Sequence, residues 1–341
     1  MNDTFLKALR GEETDYTPVW IMRQAGRYLK EYREVREGVD FLTLCKTPEL
    51  AAKVSIQPVD ILGVDAAILF SDILIPVEAM GMRLEFSEKH GPALSEPIRS
   101  RALLEKLIVP DPDDDLAFVP DTVRLLKSQL KVPLIGFSGA PFTLATYMIE
   151  GGSSKNFLFT KKIMYQNHGI WSGLMDKICD TVTAYLRSQI KAGADVVQLF
   201  DSWAGVLSPD DYRKYALPYV KRIIKELKND GAPVIYFVNG CAGLLKDVKT
   251  SGAQATGIDW RVDMGEAVRK LGKNMVIQGN LDPCALLLSK DDLRGKVKDI
   301  LDKARPAKGH IFNLGHGILP EIPAENARAL VELVHELSEK G

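Results

Sequence analysis

Cysteine is scarce in this chain of 341 residues. There are four, Cys45, Cys179, Cys241 and Cys284, far apart and without a CxxC pair. That spacing argues against a disulfide framework and reads as reduced thiols in a cytoplasmic protein. Uncharged apolar runs of the roughly 18 residues that a membrane span requires are missing as well. The opening, MNDTFLKALRGEETDY, is polar and lacks the apolar core of a signal peptide. Neither sign of charge is in excess: 44 Lys+Arg stand against 45 Asp+Glu, a net charge of −1. No bulk basic field invites nucleic acid or an anionic membrane, so any attraction for an acidic ligand must be local. Phosphate loops of the GxGxxG or GxxxxGK[ST] type, internal repeats and low-complexity linkers are also lacking.

What is present is alternation. Short apolar runs read as strands at PVWIM (18–22), AAILF (66–70), PLIGF (133–137), VVQLF (196–200), VIYFV (234–238), ATGI (255–258), MVIQG (275–279) and HIFNL (310–314). Continuous apolar runs suit parallel strands buried on both faces. Helical segments lie between them. Thr47-Pro48 and Ser208-Pro209-Asp210 carry N-cap and first-turn signals, Ile322-Pro323 opens the last helix, and Pro218 predicts a kink or an irregular turn. Eight strands with helical crossovers predict a single (β/α)8, TIM-type barrel over residues 1–341. A doubly wound open sheet would usually have fewer strands and a Gly-rich loop after the first. Residues 74–99 break the alternation and read as an irregular or hairpin insertion after the second strand. PDPDDDL (110–116) reads as a solvated turn before a helix.

Such barrels build their active sites at the C-terminal strand ends. The residues there are Arg23, Gln24 and Arg27 after the first run, then Ser71 and Asp72. The third contributes Phe137, Ser138 and, a turn later, Tyr147; the fourth contributes Asp201 and Ser202. Asn239 and Cys241 follow the fifth, Asn280 and Asp282 the seventh, and His316 sits between glycines in NLGHG. A helical turn over VWIMRQAGRY would place Arg23 and Arg27 on one face. Each residue also has a structural reading. The arginines could pair with structural carboxylates, Asp72 and Ser202 could cap helices, and Tyr147 could be core. His90, His168, His310 and His335 are assigned no function. Together the set has two arginines, one Asp, a Tyr, a Ser and a His, with no paired carboxylates and no metal cluster. It suits a ligand bearing several carboxylates.

These motifs resemble the uroporphyrinogen decarboxylase family across nearly the whole chain. PVWIMRQAGRYLKEYR is similar to its N-terminal signature and GFSGAPFTLATYMIEGG to its second; FSDIL, FDSWAG, QGNLDP and NLGHG follow in the family's order. Lys30 stands where the family usually has Pro. The resemblance implies a (β/α)8 enzyme of tetrapyrrole synthesis, usually a homodimer, that works without cofactor or metal. Its substrate would be uroporphyrinogen III, whose four acetates become methyls in coproporphyrinogen III. Asp72, Arg23, Arg27 and Tyr147 would form the catalytic group, with Asp72 facing the pyrrole NH groups. Arg23 and Arg27 would bind carboxylates, and Gln24 would line the pocket. Tyr147, Ser202 and His316 would meet acidic side chains, with Phe137 and Phe200 against the macrocycle.

Three rivals compete with this reading. A zinc- and corrinoid-dependent methyltransferase would need a His-x-Cys pair where Asn239-Gly240-Cys241 stands, with Cys284 as the distant thiolate, and Asn is a poor zinc ligand. A non-catalytic tetrapyrrole carrier would need the arginines but no lone Asp. A phosphate-binding barrel would need a Gly-rich loop that GNLDP and GHG do not supply.

Overall fold

The computed structural model describes residues 2–87 and 91–340. Seven parallel strands form one continuous sheet: β1 (Ala67–Ile68), β4 (Leu134–Gly139), β5 (Val196–Asp201), β6 (Val234–Val238), β7 (Ala255–Ile258), β8 (Val276–Gln278) and β9 (Gly309–Ile311), neighbours in that order. Helices connect them, and the sheet curls into a barrel of the (β/α)8 kind. Between β1 and β4, β2 (Leu84–Ser87) and β3 (Gly91–Leu94) pair antiparallel, Leu84 opposite Leu94. They fall within the irregular stretch 74–99. The residues joining them, including His90, lie outside the described residues.

The run at 18–22 is the one expected strand that does not form as such. Val19 makes a single parallel bridge to Phe312, yet this segment closes the ring. Phe312 N–H donates to Pro18 O at 2.8 Å, and on the other side Asp65 N–H donates to Val19 O at 2.8 Å. The ladder stops because side chains take three of its four backbone donors, leaving only Trp20 N–H to donate to Phe312 O at 3.3 Å. Val19 N–H donates to Asp65 Oδ2, Ile21 N–H to Gln24 Oε1 and Met22 N–H to Asn313 Oδ1. Backbone groups need partners when buried, and a side chain serves as well as a strand.

Burial follows strand alternation. Val196, Phe200, Ile235 and Phe237 pack with Trp20 in one cluster, while Val197, Leu199, Tyr236 and Val238 pack with helix residues such as Val182, Leu186 and Val220 in another. Inside the barrel Trp20 Nε1–H donates to Gln278 Oε1 and Gln278 Nε2–H to Gln198 Oε1, so the layer below the mouth is polar yet linked. Pro218 acts as its position suggests. One helix ends at Tyr215, and Pro218 is the second residue of the next, Leu217–Leu227, where a missing N–H costs nothing. Ser208 caps its helix through Asp211 N–H. Thr47 occupies the cap position before Pro48–Leu62 without a side-chain cap bond.

Candidate active site at the barrel mouth

Residues 21–29 run through turns and bends, and helix begins only at Lys30. The helical face expected for Arg23 and Arg27 therefore does not exist. Arg23 instead takes a left-handed backbone conformation, φ 64°, uncommon for a non-glycine residue. Both arginines are exposed. Among the described residues neither guanidinium has an ion-pair or hydrogen-bond partner, and Arg27 is engaged only through its carbonyl, which accepts from Arg33. No structural carboxylate among the described residues explains them away.

The turn NLGHG is pressed in on both sides. A Cβ on Gly317 would lie 2.4 Å from Arg23 Cδ, and one on Gly315 would lie 2.2 Å from the Trp260 backbone nitrogen. Only glycines allow this approach, and it carries the His316 ring between Arg23 and Trp260. The ring centroid is 5.9 Å from that of Trp260 and 6.3 Å from that of Phe237. Burial pushes the His316 pKa down to about 4, and the positive charges of Arg23 and Arg261 act in the same direction. Near neutral pH this imidazole is uncharged, with one donor and one acceptor nitrogen.

Asp72 is half-buried just past β1. Its Oδ1 accepts from Leu74 N–H at 2.8 Å, but the cap position of the short helix Ile75–Ala79 is Leu74 and carries no side-chain cap bond, so Asp72 makes a turn bond and does not cap the helix. Among the described residues no cation lies within ion-pair reach of the other. Burial raises the carboxyl above its ordinary value, opposed by the Leu74 N–H and by the charge of Arg23. Tyr147, on helix Pro141–Glu150, stacks on Trp203 with centroids 3.9 Å apart and planes at 26°. Burial first and Asp72 second push its hydroxyl up to about 12, with Arg23 opposing. Asp72, Tyr147 and His316 thus all lie near enough to Arg23 for its charge to act on them, behind burial as the main cause in each case.

Phe137 and Phe200 meet edge to face at 5.6 Å, and Phe200 meets Phe237 at 6.0 Å. They form an apolar floor that continues to His316. Ser202 is half-buried, and its carbonyl accepts from Asn239 Nδ2. Gln24 does not reach the cavity surface. It is wholly buried, Nε2–H donating to Ala66 O while Oε1 accepts from Ile21 N–H, so it shapes the Arg23 turn from behind. Ser138 is fully buried. Asp201 is structural: buried, it accepts from Thr143 Oγ1 and Tyr236 OH at 2.7 Å each, and its pKa is raised to about 6 by burial. Asp282 caps a short 3-10 turn.

Cys241 is buried, its thiol pushed up by desolvation and by Asp259, whose Oδ2 accepts from Cys241 N–H. Asn239 is spent on Ser202 O and on Arg261, whose NH1 donates to Asn239 Oδ1 at 3.0 Å. Among the described residues no three His, Cys, Asp or Glu side chains converge as metal ligands. Trp203, Phe237, Trp260 and Arg261 were not read from the sequence. The last two follow ATGI after one residue, Asp259, in IDWRVD, at the one strand end from which sequence reading takes no candidate.

The family model described as Uroporphyrinogen decarboxylase (URO-D) matches residues 1–337. A protein named uroporphyrinogen decarboxylase from Desulfotalea psychrophila is 56% identical over 338 residues, covering 99% of each chain. One of the same name from Geobacter sulfurreducens is 53% identical over 342 residues, covering all of both. Among solved structures, a methyltransferase from Methanosarcina mazei superposes with a TM-score of 0.83 over 98% of each chain at 22% identity. A B12-independent methionine synthase from Shewanella gives a TM-score of 0.57 at 10% identity, over 85% of this chain and 88% of that one. At those identities the two structures speak for the fold alone.

Proposed function

The chain belongs to the uroporphyrinogen decarboxylase family, and we propose that it converts uroporphyrinogen III to coproporphyrinogen III at the mouth ringed by Arg23, Asp72, Tyr147 and His316. Each acetate takes up one proton and releases one CO2. The ring carbon next to the pyrrole nitrogen, adjacent to the one that bears the acetate, is protonated first, which places positive charge on the acetate-bearing carbon in conjugation with that nitrogen. The bond between the side-chain methylene and its carboxylate then breaks, and its electron pair neutralises the ring. A proton added at the methylene carbon and the ring proton lost leave a methyl on an aromatic pyrrole.

The observation that carries this reading is Asp72. One carboxylate oxygen is held by Leu74 N–H and the other is open, with no ion-pair partner among the described residues. A solitary carboxylate against the pyrrole NH groups stabilises positive charge as it develops on the ring, in a site where burial strengthens the interaction. It can serve all four rings if they dome around it in turn. Arg23 and Arg27 bind substrate carboxylates, and neutral His316, Tyr147 and Ser202 supply further polar contacts. Arg holds its proton to a pKa above about 12, so we assign the arginines to recognition and charge balance. Phe137 and Phe200 offer the macrocycle an apolar seat.

Anaerobic incubation with uroporphyrinogen III should yield coproporphyrinogen III and four equivalents of CO2, with or without chelator. Binding without turnover would favour a carrier, and loss of turnover on chelation a zinc enzyme. We also propose a cytoplasmic homodimer. Exposed Leu158, Phe159 and Tyr165 on one short helix support a buried contact with a second copy, which light scattering tests.

A further inference from the structure

We propose that Arg261 is a third carboxylate-binding arginine of the mouth, set across it from Asp72. The inference rests on the decarboxylase reading and extends it to a residue outside the two arginine positions of the N-terminal signature. Around the ring, Pro18–Trp20 precedes β1, and β4, β5, β6, β7, β8 and β9 follow. Asp72 follows the second of these eight positions and Arg261 the sixth, so the two stand half a turn apart.

The placement of Arg261 is built. Its guanidinium lies 3.7 Å from the centroid of the Trp260 ring, a stack that fixes the fork while leaving its edge free. NH1 donates to Asn239 Oδ1 at 3.0 Å and lies 3.4 Å from Asp259 Oδ1. The loop beneath is pinned by Asn280, whose Nδ2 donates to Asp259 O and Val262 O. The close approach of Gly315 to Trp260 brings this loop against the His316 turn. Half of the side chain remains in solvent (51%), and NH2 has no partner among the described residues. Asp259 is wholly buried and also binds the Arg261 and Cys241 backbone N–H groups, so a cation was not needed merely to satisfy it.

The ligand chemistry explains the need. A tetrapyrrole with eight carboxylates seated over Asp72 projects side chains to every part of the rim, and Arg23 and Arg27 both follow the first ring position. A cation beyond β7 meets carboxylates on the far side. Those are met in every turnover whichever ring is reacting, so Arg261 acts on binding and not on the bond-breaking step.

The test is steady-state kinetics under anaerobic conditions with Arg261→Gln and Arg261→Lys, folding checked by circular dichroism. Gln removes the charge and keeps a polar side chain, while Lys keeps the charge without the fork. The expected result is a KM for uroporphyrinogen raised about tenfold, as for loss of one charge-assisted contact, with kcat within about twofold; Lys restores most of the KM. Raising ionic strength should raise the wild-type KM more than that of Arg261→Gln. An unchanged KM in a folded Gln variant, or a fall in kcat alone, overturns the proposal. If Arg261→Gln does not fold, the Lys variant and the wild-type salt dependence decide: a salt-insensitive wild-type KM overturns it. Wild-type protein that forms no coproporphyrinogen would instead overturn the underlying decarboxylase reading.

Discussion

Gly317 gives Arg23 its place: the guanidinium stem runs across the glycine so closely that a Cβ there would sit 2.4 Å from Arg23 Cδ and 2.8 Å from Cγ. The atoms it would strike belong to a flexible side chain, so Gly317→Ala should move Arg23 more than it disturbs the fold. We expect kcat/KM to fall at least about tenfold, one lost charge-assisted contact, with a melting temperature within a few degrees of wild type. Anaerobic kinetics beside thermal denaturation measure both.

The ring closes through Asp65. This buried carboxylate accepts from Val19 N–H and His335 Nε2 on one oxygen, and from Tyr16 OH and Asn2 Nδ2 on the other. Asp65→Ala would orphan the Val19 amide at the seam between β9 and β1. The expected loss is about 3 kcal/mol in urea unfolding, the scale of a buried donor left unmade plus a charged acceptor removed. Turnover per folded molecule should be unchanged, since the seam lies away from Asp72.

Tyr147 and Trp203 share a stacked contact, which separates the packing role of the ring from that of its hydroxyl. Tyr147→Phe keeps the stack and should lower kcat/KM about tenfold through loss of one polar contact. Trp203→Ala should lower both stability and activity. Equal activity of Tyr147→Phe and wild type would leave Tyr147 a packing residue.

Acid should weaken the fold in a stated window. Burial lowers His310 to a pKa of about 4, from an ordinary 6.5, while its ring nitrogen bonds Gly279 O at 2.8 Å. A folded-state pKa below the unfolded one means that the unfolded chain binds more protons between them. The contribution is complete above pH 6.5 and is lost as pH falls toward 4. Asp201, raised to about 6, works in the opposite sense: its contribution is complete below 3.8 and lost as pH rises through 6. His310→Gln removes one titrating group, so its melting temperature should fall less steeply than that of wild type between pH 6.5 and 4. Parallel slopes would contradict the assignment.

The barrel was legible where periodicity carries the information. Runs such as VVQLF and VIYFV are buried on both faces and became β5 and β6, because continuous apolar residues fit only a strand covered on both sides. PVWIM looked the same and is not a ladder strand. Three of its donors are taken by Asp65, Gln24 and Asn313, the last of these about 290 residues away in sequence, and no local pattern announces such partners. The mouth was legible in the same measure. Reading past each strand end collects Arg23, Asp72, Tyr147, Ser202 and His316, but spacing of four could not foresee that Arg23 leaves the helical region or that Gln24 turns inward. Arg261 escaped because its stack on Trp260 and its tether to Asn239 depend on three separate loops meeting.

Asp72→Asn tests the central claim most directly, because it keeps the shape of the side chain and its bond to Leu74 N–H while removing the charge. Measured anaerobically against uroporphyrinogen III, kcat should fall by about a thousandfold, the scale of deleting a preorganised electrostatic partner, with the melting temperature held and tetrapyrrole binding retained. Turnover near the wild-type rate in that variant would contradict the account.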